Sequence, residues 1–134
     1  MADVIVEGSD PTTGGGAYLG YTMSRIGDLD GDNSDDLLLG VYNFDLGASN
    51  RGFASVLRGS DLLATTPGTV LSTAELSPRF MGEASNEAVG FNGLSTLGDL
   101  DADGYDEVFF GIWANDDSCE DCGKAVVIYG RPSP

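Results

Sequence analysis

Histidine is missing from this chain of 134 residues. Its absence excludes the Ser-His-Asp constellation, the imidazole general base and every mixed cysteine-histidine zinc shell. Basic residues are nearly as scarce: six Lys and Arg stand against 22 Asp and Glu, for a formal net charge of −16. Such a chain repels polyanions, so nucleic acid and anionic membrane surfaces are excluded as partners unless cations bridge them. No window approaches the roughly 18 consecutive apolar residues of a membrane span, and the opening "MADVIVEGSD" has neither the basic start nor the apolar run of a signal peptide. The expectation is no membrane insertion, in a protein that is either cytosolic or the mature or trimmed form of an exported one.

Cysteine is limited to "CEDC", at Cys119 and Cys122. Two thiolates make half of a tetrahedral zinc shell and no histidine can complete it, so a local disulfide or free thiols is the expected state. Against these absences stand a hydrophobic content of 41% and a charged content of 21%, ordinary for a folded domain and unlike a disordered acidic tail. The length suits one domain.

What the chain does contain is an internal repeat. "LGYTMSRIGDLDGDNSDDLLLGVY…RGFASVLRG", from Leu19 to Gly59, aligns with "VGFNGLSTLGDLDADGYDEVFFGIW…CGKAVVIYG", from Val89 to Gly130. Each copy reads as three strands with an acidic loop between the first two, and no helical stripe is visible. Their central runs are apolar at successive positions, which suits strands covered on both faces. With "DVIVEG" and "TVLSTAELS" as outer strands, the expected strands are Val4–Glu7, Tyr21–Ile26, Leu37–Tyr42, Phe53–Leu57, Val70–Leu76, Phe91–Leu97, Val108–Trp113 and Ala125–Tyr129. Glycine punctuates nearly every junction.

The acidic loops carry the chemistry. Asp28, Asp30, Asp32, Ser34 and Asp36 fall at alternate positions of the first; Asp99, Asp101, Asp103, Tyr105 and Glu107 fall at the same positions of the second. Alternate side chains on a tightly curled loop can converge on one point, and hard oxygen donors suit calcium, which takes about 6 to 8 of them. Ser34 and Tyr105 would contribute backbone carbonyls. The sixth position calls for positive φ and holds Asn33 or Gly104. An EF-hand is excluded, because its twelfth-position glutamate is replaced by Leu39 and Phe110 and strands are expected where its helices would be. Magnesium, which keeps its waters in an octahedral shell, gains little from a dense carboxylate cage. Two Ca2+ ions per chain are expected.

These residues resemble the FG-GAP repeat of integrin α-subunits and related extracellular proteins, carried by "VGFNGLSTLGDLDADGYDEVFFG" with "GKAVVIYG" and by its first-copy counterpart. The resemblance implies an all-β chain of two β-propeller blades, forming a single unit over 1–134. Repeat one spans about 17–77, repeat two about 87–130, and an N-terminal outer strand lies at about 3–8. It also implies calcium ligation by Asp28, Asp30, Asp32, Asp36 and the Ser34 carbonyl, and by Asp99, Asp101, Asp103, Glu107 and the Tyr105 carbonyl. Glu107 departs from the family's usual aspartate. Two blades are fewer than the roughly 4 to 8 of a closed ring. The chain is therefore expected either to self-associate head to tail, with "DVIVEG" completing the next copy's last blade and three copies making six blades, or to be completed by other blades of a longer chain.

The resemblance and the absence of histidine together favour a noncatalytic module for extracellular or cell-surface recognition and adhesion, with no catalytic residue assigned. Its protein or glycan ligands would meet the variable loops "NFDLGASNRG" and "ANDDSCEDCG". The alternatives are a self-assembling structural propeller unit and a propeller lectin or polysaccharide-acting enzyme fragment. For an enzyme the unassigned acids are Glu83, Glu87 and Asp116, each more simply a solvated surface group. For a lectin they are Trp113 and Tyr42, more simply packing residues. Phe91, Phe109 and Phe110 are assigned to packing.

Overall fold

The computed structural model describes residues 3–9, 16–45 and 47–132. The described residues are all-β apart from one short helix. Strands β2 (Met23–Gly27), β3 (Asp36–Val41) and β4 (Phe53–Leu57) form an antiparallel meander that β6 (Arg79–Met81) extends to four strands. Strands β7 (Ser95–Gly98), β8 (Glu107–Ile112) and β9 (Lys124–Ile128) form a second, three-stranded meander. The repeat in the sequence is thus a repeat in space. Even an irregularity recurs: the pairing shifts between Arg25 and Gly27 in one sheet and between Thr96 and Gly98 in the other, just before each acidic loop. Such a bulge bends a strand and frees it to leave the ladder into a curled loop.

The two sheets pack face to face. Ile26, Leu38, Ala54 and Val56 of the first meet Val108, Phe110 and Ile112 of the second in one buried cluster. On its other face the first sheet buries Leu39 and Leu57 against Leu76, with Val6, Leu62 and Leu71 packed around them. Every residue of β4 is buried as a result, which is the two-sided covering that unbroken apolar runs require. Among the described residues, the second sheet is covered on one face only.

Three features differ from the sequence reading. The outer strand of the first sheet is β6, whose three residues lie between Pro78 and Gly82 and are too few to show a period. The segment expected to be that outer strand contributes β5 (Thr69–Ser72), which pairs in parallel with β1 (Val4–Glu7) of the same chain. Helix α1 (Gly59–Ala64) follows β4 directly, and its six residues are too short to print a helical stripe. Among the described residues, no helix is long and apolar enough to cross a membrane.

Candidate metal centre

Each acidic loop is curled by its own first aspartate. In loop one, between β2 and β3, Asp28 Oδ1 accepts the N–H groups of Gly31 (2.7 Å) and Asp32 (3.1 Å), and Oδ2 accepts that of Asn33 (2.8 Å). In loop two, between β7 and β8, Asp99 accepts the N–H groups of Asp103 and Gly104, both at 3.0 Å. Asp32 and Asp103 then accept the N–H groups of Ser34 (2.8 Å) and Tyr105 (3.0 Å) in matching fashion. The sixth-position expectation agrees with the backbone: Asn33 has φ 66° and Gly104 has φ 96°.

The ninth-position acids anchor the loops to the sheets. Asp36 Oδ2 accepts the Leu29 N–H (3.1 Å) and Oδ1 that of Gly59 (2.9 Å). Glu107 repeats this with Leu100 (2.6 Å) and Gly130 (3.3 Å), its longer arm spanning the same two donors. Both acids are fully buried, Asp36 at 1% and Glu107 at 0% exposure.

Convergence follows. Carboxylate oxygens of Asp28, Asp30 and Asp32 lie within 4.8 Å of one another in loop one, as do those of Asp99, Asp101 and Glu107 in loop two. Asp36 and Asp103 stand outside these two groups. Burial raises the Asp36 carboxyl above its ordinary range, opposed by the Gly59 and Leu29 N–H groups and reinforced by Asp30 and Asp32. The Asp101 carboxyl is likewise raised, by desolvation and then by Asp103 and Glu107. Asp32 is lowered, chiefly by a hydrogen bond from Ser60. One atom stands out: Asp30 Oδ1 is buried and has no hydrogen-bond partner among the described residues, on a side chain only 9% exposed. A buried carboxylate oxygen left without a donor is costly, and a cation among these three carboxylates would satisfy it. The residues therefore fit a hard divalent ion.

Sequence reasoning missed how the two loops touch. The Asp28 N–H donates to Asp106 Oδ2 (3.0 Å), the Asp106 N–H donates to the Asp28 carbonyl (3.0 Å), and the Arg131 N–H donates to the Leu29 carbonyl (3.0 Å). Asp106 falls between two alternate positions of loop two, so spacing alone marks it as a residue facing away. It also missed Arg58, whose Nε lies 3.0 Å from Asp30 Oδ2. That pair joins the residue between β4 and α1 to loop one, a separation no local pattern reports.

The other candidates lie outside the two acidic loops. Glu83 is exposed and pairs with Lys124 at 3.8 Å, and exposed Asp116 accepts the Asp121 N–H at 2.7 Å. Glu87 is not the solvated acid expected: it is 2% exposed and holds the N–H groups of Glu83 and Ala84 and the amide of Asn115. Burial pushes its carboxyl up, but these donors outweigh that and hold it below the ordinary glutamate range. Cys119 and Cys122 are joined in a disulfide, with their Cα atoms 5.3 Å apart. Tyr42 packs with Tyr18, Tyr21 and Phe91, while Trp113 sits 6.5 Å from Phe91 and stays 55% exposed. Comparison of the chain with protein-family models and with curated proteins found no match.

Proposed function

We propose that this chain is a noncatalytic, calcium-stabilised propeller module of the FG-GAP type, serving recognition or adhesion outside the cell. The observation that carries this reading is the paired loops, each gathering three carboxylates, with the buried Asp30 oxygen unpartnered in the first. Asp28, Asp30 and Asp32 would hold one ion; Asp99, Asp101 and Glu107 would hold the other. Ser34, Asp36, Asp103 and Tyr105 are the further donors the spacing assigns. Bound calcium supplies positive charge that cancels crowded like charges. The protein supplies the curl through Asp28 and Asp99, the anchorage through Asp36 and Glu107, and the junction between loops through Asp106. No step of bond making is required of any of them.

Stacked meanders sharing strand order, bulge and loop support the propeller reading, since propellers repeat four-stranded sheets around an axis. A disulfide suits an oxidising compartment, where calcium is also abundant. The test is a thermal melt of the whole chain in calcium, in magnesium and in chelator. A ligand that binds only the folded form at about 100 times its dissociation constant adds about 2.7 kcal/mol per site. Calcium should therefore raise the midpoint by several degrees, magnesium by less, and chelator should reverse the gain. A midpoint indifferent to calcium removes the proposal.

A lectin reading is favoured by one specific feature. The half-exposed Trp113 lines a concavity of about 410 Å3 together with Tyr42, Asn50, Asn86, Phe91 and Asp121. An aromatic face beside amides and a carboxylate suits a neutral sugar ring. Binding to neutral glycans on an array, lost in Trp113→Ala while the melt is unchanged, supports it; an array without signal removes it.

A further inference from the structure

The two loops share a backbone plan but differ in their electrostatic surroundings. Arg58 ends the stretch that carries β4, and it opens α1, whose first hydrogen bond runs from the Leu62 N–H to the Arg58 carbonyl (3.1 Å). Its neighbour Gly59 donates its N–H to Asp36. The backbone of Arg58 is thereby fixed at the lip of loop one, and its side chain, 31% exposed, reaches Asp30. Tyr129 holds the same place in the second copy, because its neighbour Gly130 donates its N–H to Glu107 just as Gly59 does to Asp36. Tyr129 carries no charge of the kind Arg58 brings. Among the described residues, no ion pair reaches a carboxylate of loop two.

We infer that Arg58 is the resident counter-ion of loop one, so that this loop takes calcium more weakly than loop two and does so by drawing Asp30 away from the guanidinium. The inference rests on the calcium reading above. Its independent footing is Asp30 itself. That side chain is nine-tenths buried and spends one oxygen on Arg58, yet the other oxygen remains without a donor. Arg25 pairs with the partly exposed Asp35 of the same loop, outside the gathered trio, so Arg58 is the guanidinium on the gathered carboxylates and leaves them incompletely compensated, with capacity for a cation but with less to gain from it than loop two. Loop two has three gathered carboxylates and, among the described residues, no ion pair. A fixed positive charge beside a divalent ion opposes its binding, and the opposition is substantial where solvent screening is partial.

Calcium titration of the chelator-stripped full chain by calorimetry tests this. The wild type should show two classes of site, the weaker lost in Asp30→Asn and the tighter lost in Asp101→Asn. Arg58→Gln should tighten the weaker class by about five- to tenfold, the scale of one partly screened charge interaction, and leave the tighter class alone. Tyr129→Arg should weaken the tighter class to a similar degree. In chelator, Arg58→Gln should melt below the wild type, because Asp30 loses its ion pair, and its calcium-induced rise should be the larger. If Arg58→Gln does not fold by circular dichroism, Tyr129→Arg carries the test alone. An unchanged or weakened lower class in Arg58→Gln, or an unchanged tighter class in Tyr129→Arg, overturns the inference while calcium binding itself stands. A wild type that takes up no calcium overturns the calcium reading instead.

Discussion

Glu87 lies in a loop, yet its carboxylate is buried against three donors from Glu83, Ala84 and Asn115. A buried acid is tolerated when hydrogen bonds to its charged form outweigh desolvation, and its lowered pKa reports that balance. The sign of the pH effect follows. A carboxyl held below its ordinary value of 4.5 binds protons more weakly folded than unfolded, so its contribution is full above that value and is lost as pH falls through the folded one. Glu87→Gln keeps the shape and removes the charge. It should cost about 1–3 kcal/mol near neutrality, the worth of charge-assisted hydrogen bonds, and the penalty should shrink as the wild type is acidified. Urea titrations of both proteins at stepped pH measure the difference directly; a penalty independent of pH would show that the charge contributes nothing. Ordinary surface solvation was the natural reading of this residue because its donors come from a backbone turn and from Asn115, neither of which a sequence pattern announces.

At the scale of elements, the bulged hairpin with its acidic loop is the unit the sequence specifies most fully. Alternating acids, the left-handed sixth position and the apolar strand beyond it are all local, and each appears twice, so chance agreement is small. The remaining elements depend on distant partners. β6 is a strand because β4 offers it an edge, α1 is stabilised by Leu62 against the Leu39 and Leu57 cluster, and β1 pairs with β5 across most of the first repeat. The same division holds in the candidate site, where the carboxylate spacing was legible and the Arg58 and Asp106 contacts were not. The repeat also sets an internal control on loop chemistry. Gly31 and Ala102 share the fourth loop position, and both have positive φ, at 78° and 62°. An L-residue there is strained by about 1–2 kcal/mol where glycine is not. Moreover, a methyl group on Gly31 would collide with the ring of Tyr105 from loop two. Gly31→Ala should therefore destabilise by more than about 1 kcal/mol, whereas Ala102→Gly should stabilise by up to about 1 kcal/mol, the strain relieved less the entropy glycine adds to the unfolded chain. Midpoints of denaturant unfolding decide it: shifts of the same sign would mean that the two loops do not share a backbone.

Across the whole molecule, the same registers identify a surface. Leu38 faces Ser24 and Val56 across the first sheet, and Phe109 faces Ser95 and Val127 across the second, so the positions are equivalent. In the first sheet these residues are sealed by the second: Ile26 and Leu38 are 0% exposed and Val56 is 3% exposed. Their counterparts remain open, with Leu97 at 42% and Val127 at 45% exposure beside a half-buried Phe109. An apolar face of this kind, built from residues that elsewhere in the chain form a sheet-on-sheet core, is suited to another sheet of the same type. The propeller reading supplies one from a second copy, since a stack of blades in one chain continues in the next. β1 is already paired with β5 of its own chain, so contact through the face of the second sheet, rather than strand donation by "DVIVEG", is the expected mode. Light scattering in calcium should then give a mass above the 13.9 kDa of one chain. Val127→Asp, which puts a charge in the middle of that face without touching either loop, should return the mass to that of a monomer while the calcium-dependent rise in melting midpoint persists. A wild-type monomer at high concentration, with its calcium response intact, would leave the loops as described and show that this face has no copy of the chain to meet.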